Sequence, residues 1–70
     1  MNFYTWVLDN ECLFKYEIFR PFIDNCLPDA NLFNLESEKD IFYYLSVNGY
    51  SEEVLMAFLR VYYIYQNMIK

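Results

Sequence analysis

The sequence predicts a mainly α-helical fold: a small helical domain of three to four helices occupying residues 1–70 as a single domain. Three observations predict it. Val54, Phe58, Val61, Tyr65 and Met68 follow one another at intervals of four, three, four and three, the repeat of one helix face. Ser37 and Ser51 each precede acidic residues (Glu38 and Asp40, Glu52 and Glu53), the pattern of a helix cap followed by acids in the electropositive first turn. Gly49, the only glycine, stands between these two segments, where a helix ends in the left-handed conformation that glycine adopts most easily.

Residues 2–17 have two readings. Phe3 to Leu8 is rich in β-formers, and Cys12, Phe14, Tyr16 and Ile18 alternate with Glu11, Leu13, Lys15 and Glu17. Asp9-Asn10 between them suits a two-residue hairpin turn. A helical wheel over residues 3–16 shows no coherent face. An isolated hairpin is weak, however, and needs a helix to pack on. The segment is therefore either a β-hairpin or an additional helix.

Phe19, Phe22, Ile23, Cys26 and Leu27 form an apolar stripe over residues 18–27. Proline is tolerated only in the first turn, so this helix begins near Pro21. Pro28-Asp29-Ala30-Asn31 breaks it, and Leu32-Phe33-Asn34-Leu35 is a short turn or loop. The helix opened by Ser37 has Ile41, Phe42, Tyr44 and Leu45 as its inner face. It ends in a tight corner, Asn48-Gly49-Tyr50-Ser51, with Tyr50 placed to contact the last turn. The last helix runs to about residue 69. Leu55, Tyr62 and Ile69 widen its apolar arc to about 180°, broader than a surface helix needs. Glu52, Glu53, Arg60, Gln66, Asn67 and Lys70 lie opposite. Met56 and Tyr63 fall inside this polar arc, where an isolated domain has no use for them.

Composition then limits function. The hydrophobic set makes up 57% of the 70 residues and aromatics 23%, with eight Tyr and seven Phe. A domain this small buries only about 60% of its unfolded surface, so aromatic surface stays exposed or a second chain covers it. The codon bias of an AT-rich genome would enrich the same residue types. Ten acids stand against five bases, and Lys15, Arg20, Lys39, Arg60 and Lys70 are scattered singly. Nucleic-acid affinity rests on clustered cations, so direct nucleic-acid binding is not expected, and a protein partner with a basic surface is. No run of about 20 uncharged apolar residues is present, so no membrane span is expected. Met1-Asn2-Phe3-Tyr4 has no basic leader pattern, which suggests a cytoplasmic location and two reduced, buried thiols at Cys12 and Cys26.

Catalysis finds little material. With no His, neither Ser–His nor Cys–His chemistry is available, and two Cys do not make a zinc site. Ser37 and Ser51 read as caps, and Ser46 as a helix-surface position. The neighbouring acids, including Glu36, Glu38 and Asp40, sit at turns or helix starts, where they stabilise the helix dipole. One glycine cannot build a phosphate loop. The expectation is a non-enzyme without cofactor or metal.

What remains is surface. Of the tyrosines in the C-terminal half, Tyr44, Tyr62 and Tyr65 suit the core. The candidate partner-binding residues are Met56, Arg60, Tyr63, Tyr43, Tyr50, Glu52 and Glu53, since interfaces concentrate Tyr, Trp and Arg. The leading expectation is a small acidic inhibitor or immunity-type protein of the phage or plasmid style, which sterically masks a basic site on its partner. This is an analogy of size and charge. One alternative is a self-associating module, a homodimer through the C-terminal helix. Another is a membrane-surface amphipathic helix, although its polar face lacks the Lys/Arg excess that anionic lipid attracts.

Overall fold

In the computed structural model, which describes residues 2–69, the two-way reading of residues 2–17 resolves to helix, and no strand occurs among the described residues. Asn2 has extended backbone, and its side-chain oxygen accepts from the Thr5 amide at 2.9 Å, capping α1 (Phe3–Asp9). Phe3, Trp6 and Val7, at i, i+3 and i+4, are its buried face. Asn10 ends the helix. Its backbone amide reaches the carbonyls of Trp6 and Val7, and its side-chain amide donates to the Trp6 carbonyl at 2.8 Å. A 3-10 turn, Glu11–Phe14, then carries Phe14 into the core. A wheel drawn across residues 3–16 has no face because the helix stops at Asn10 and the phase restarts. The β-forming residues of α1 are helical because packing overrides their local preference.

The later elements follow the sequence reading. In α2 (Arg20–Cys26), Pro21 occupies the first turn, and Phe22, Ile23 and Cys26 are buried together with the flanking Phe19 and Leu27. A second 3-10 turn, Ala30–Asn34, buries Leu32. In α3 (Glu38–Val47) the Ser37 hydroxyl caps the Asp40 amide at 3.1 Å, Ile41 and Leu45 are buried, and Phe42 and Tyr44 are half-buried. Its end closes with paired bonds: the Tyr50 amide donates to the Leu45 carbonyl at 3.2 Å and the Gly49 amide to the Ser46 carbonyl at 3.4 Å, with Gly49 at φ +80°. This is the Schellman closure, which needs a left-handed residue at that position. Ser51 then caps α4 (Glu52–Met68) through the Val54 amide.

Helix α4 is the platform: α1, α2 and α3 all pack on it. Val54, Ala57, Phe58, Val61, Tyr62 and Tyr65 are buried beneath them. Most of its broad apolar arc is thus covered within one chain. The stripe overreaches at its end, where Met68 and Ile69 are 61% and 52% exposed. Phe3 and Trp6 reach Tyr65, with ring centroids 5.1 and 5.2 Å away, and Met68 and Ile69 lie beyond that contact. The whole surface is 4550 Å², close to the roughly 4,700 Å² expected of a folded monomer of this mass. The aromatic excess therefore has not enlarged the surface.

The expectation of two buried thiols holds for Cys26 alone. Cys12 is exposed on the first 3-10 turn, whose buried position is Phe14, and neither cysteine forms a disulfide. Burial, with a smaller contribution from the nearby Asp29 charge, pushes the Cys26 thiol up to about 12. Under native conditions one thiol should therefore react rapidly with an aromatic disulfide reagent, and the second only on unfolding. Two fast thiols would contradict this packing. The corner offers a separate check. A Cβ on Gly49 would meet nothing within 4 Å, so Gly49→Ala reports backbone strain alone. Its urea midpoint should fall by the equivalent of about 1–2 kcal/mol with an unchanged slope.

Candidate interaction surface

Met56, Arg60 and Tyr63 stand at i, i+4 and i+7 on α4 and do form one surface. Met56 is 46% exposed and Tyr63 67% exposed. They line an open groove of about 490 Å³ with Ile18, Phe19, Leu59 and Ile64. Its far wall comes from the turn before α2. The Arg60 guanidinium donates to the Ile18 carbonyl at 3.1 Å and ties that turn to α4.

Beside this groove lies a cleft of about 300 Å³ formed by Glu17, Pro21, Glu52 and Glu53, with Met56 and Arg60 shared between the two. The predicted acids Glu52 and Glu53 therefore border the predicted apolar residues, as first-turn positions of the same helix face should. Together they make a surface with an apolar floor and an acidic end. Arg60 is the only cation on its walls, and its guanidinium is directed at a backbone carbonyl.

Tyr43 is set on a neighbouring hollow of about 530 Å³, with Glu38, Lys39, Phe42, Ser46 and Leu59. Leu59 forms a wall of both this hollow and the Met56–Tyr63 groove. Tyr50 is placed elsewhere. It is half-buried, its hydroxyl donates to Asp29 Oδ2 at 3.1 Å, and it lines none of these hollows. Sequence reasoning missed Ile18, Leu59 and Ile64 as groove residues and Glu17 as a residue of the adjoining cleft. Leu59 and Ile64 carried a faint signal as apolar residues flanking Arg60 and Tyr63, whereas Glu17 and Ile18 arrive by a tertiary contact.

A second cluster was also missed. The Asp29 carboxylate accepts the Tyr44 hydroxyl at 2.7 Å, the Tyr50 hydroxyl, and the Asn31 amide at 3.1 Å, while the Asn31 side chain donates to the Tyr44 hydroxyl at 3.2 Å. This joins the α2–α3 connection to α3 and to its corner. Partial burial pushes the Asp29 carboxyl up, but the bonds from Tyr44, Asn31 and Tyr50 outweigh it and hold the group below the ordinary aspartate range. Burial and the bond to Asp29 push the Tyr50 phenol up to about 12.

The described residues contain no group of three or more His, Cys, Asp or Glu placed to hold a metal ion, and none of their helices is long and apolar enough to cross a membrane. What the surface offers chemically is apolar contact area beside carboxylates. Comparisons with protein-family models, with curated proteins and with solved structures return no match to this chain.

The Asp29 cluster sets a pH dependence. A carboxyl depressed in the folded state adds stability above its unfolded pKa and loses it as pH falls through the folded value. Wild-type urea midpoints should therefore drop through and below the ordinary aspartate range, and Asp29→Asn should flatten part of that drop. Parallel acid profiles for the two proteins would show that the cluster contributes nothing.

Proposed function

We propose that this chain is a small, non-catalytic protein-binding module that acts by sterically masking a basic site on a partner protein, in the style of phage or plasmid inhibitors and immunity proteins. The observation that carries the reading is the continuous surface on α4. Ile18, Met56, Leu59 and Tyr63 give it an apolar floor, and Glu17, Glu52 and Glu53 give it an acidic end. An apolar floor with an aromatic anchor supplies affinity by desolvation, and the carboxylates speed encounter with a cationic target. Tyr43, across the shared Leu59 wall, extends the contact area on α3.

The test is affinity capture from a lysate of the source cells, repeated with Tyr63→Ala and Arg60→Ala. The bound protein should be lost with Tyr63→Ala, a deficit of about 2 kcal/mol or roughly 30-fold in affinity, as for a central aromatic contact. Its association rate should fall as salt rises, with dissociation little changed. A partner retained equally by both variants, or an association rate indifferent to salt, would sink the reading.

A further inference from the structure

We infer that the occupant of the Met56–Tyr63 groove is an amphipathic helix of the partner protein, apolar along one face and carrying Lys or Arg at its C-terminal end. This deepens the masking reading and rests on it. The two adjoining cavities share Met56 and Arg60, so one segment can lie across both. Glu53 and Tyr63 are ten residues apart on α4, about 15 Å along its axis at 1.5 Å per residue. An occupant lying beside α4 thus needs its cations and the apolar anchor that meets Tyr63 about 15 Å apart, nearly three turns of a helix.

The form of the segment follows from its backbone. An extended peptide docks well where it can pair with a strand edge, and the described residues contain no strand. On the apolar floor of Ile18, Met56, Leu59 and Tyr63 its amides and carbonyls would lose water without gaining partners. A helix satisfies its own backbone and presents only side chains.

Charge fixes the chemistry and the direction. Glu17, Glu52 and Glu53 stand at one end of the surface, and the single cation, Arg60, is engaged with the Ile18 carbonyl. Cations are most favourable at a helix C-terminus, so the occupant runs antiparallel to α4, with its basic end over the start of α4. A second copy of this chain would bring a body of net charge −5 to another of −5. An anionic lipid surface meets the same carboxylates.

The probe is a synthetic amphipathic helical peptide with a Leu/Phe face and Lys or Arg in its last two turns, titrated against the full chain. Two controls accompany it: the same peptide with Glu in place of the cations, and one with the cations moved to its first two turns. The first peptide is expected to bind best, by about tenfold over either control, and to lose at least that factor with Tyr63→Ala and with Glu52→Lys/Glu53→Lys. The charge-reversed variant should in turn prefer the acidic peptide. Equal binding of all three peptides, binding indifferent to both variants, or no binding overturns the inference. So does sedimentation of the free chain as a dimer that Tyr63→Ala dissociates, or flotation with anionic vesicles that Tyr63→Ala abolishes. The two readings fail separately. A lysate protein lost with Tyr63→Ala but no peptide binding removes the helix and leaves the masking role. Groove-dependent peptide binding with no captured protein removes the masking role.

Discussion

The fold depends on one ring. Phe3 lies on the first turn of a seven-residue helix, yet its centroid is 4.9–6.0 Å from those of Phe22, Phe58, Tyr62 and Tyr65. It joins α1 to α2 and to two successive turns of α4. A helix of that length is marginal on its own, since isolated helices need about 12–15 residues to persist in water. Burying one phenylalanine contributes about 1.5–3 kcal/mol, more than α1 gains from its own cap and propensity. α1 is therefore helical because Phe3 is buried, and Phe3 can be buried because α4 is long enough to offer a continuous aromatic floor.

That dependence explains much of the unusual composition. Several tyrosines serve two purposes here: the ring packs on the core and the hydroxyl fixes a loop. Tyr4 donates to the Leu27 carbonyl, Tyr62 to the Glu36 carbonyl, and Tyr44 and Tyr50 to Asp29. Each bond anchors a connection between helices that apolar burial alone would leave loose. A buried phenylalanine could not do this, and a serine could not fill the space. The surplus that called for a partner is accordingly smaller than composition suggested. On the surface described above it comes down to Ile18 before α2, Tyr43 on α3, and Met56 and Tyr63 on α4, all exposed.

What was legible in the sequence was local. The serine caps, Pro21 at the start of α2 and the Gly49 corner are decided by backbone geometry within four or five residues, and all are found where the residues put them. The N-terminal segment was ambiguous because its helix is set by partners on α2 and α4, and because Asn10 resets the phase between two short elements. The groove was half legible. Helical periodicity identified Met56, Arg60 and Tyr63 as residues the core did not need, since all three come from one helix. Its other wall, at Ile18, lies 42 positions from Arg60 in the chain and meets α4 through the Arg60 bond to the Ile18 carbonyl. No periodicity encodes that contact. The place of Tyr50 away from this groove was illegible for a related reason: its hydroxyl partner, Asp29, is distant in sequence and close in space.

The weight of the acidic end falls on Glu17. Glu52 and Glu53 occupy the first turn of α4, where acids stabilise a helix whatever the protein does, so their position carries little information about a partner. Glu17 has no such duty. It lies in the turn before α2, outside the first turn of any helix, and it faces the same cleft as the other two. Three carboxylates and one guanidinium, that of Arg60, line this cleft, and nothing in the helix-capping account requires the third carboxylate. The Arg60–Ile18 bond holds the Glu17-bearing turn against α4, so the clustering is built by a specific tertiary contact. The cationic segment proposed above would add counter-charge at the end of the surface where these carboxylates gather.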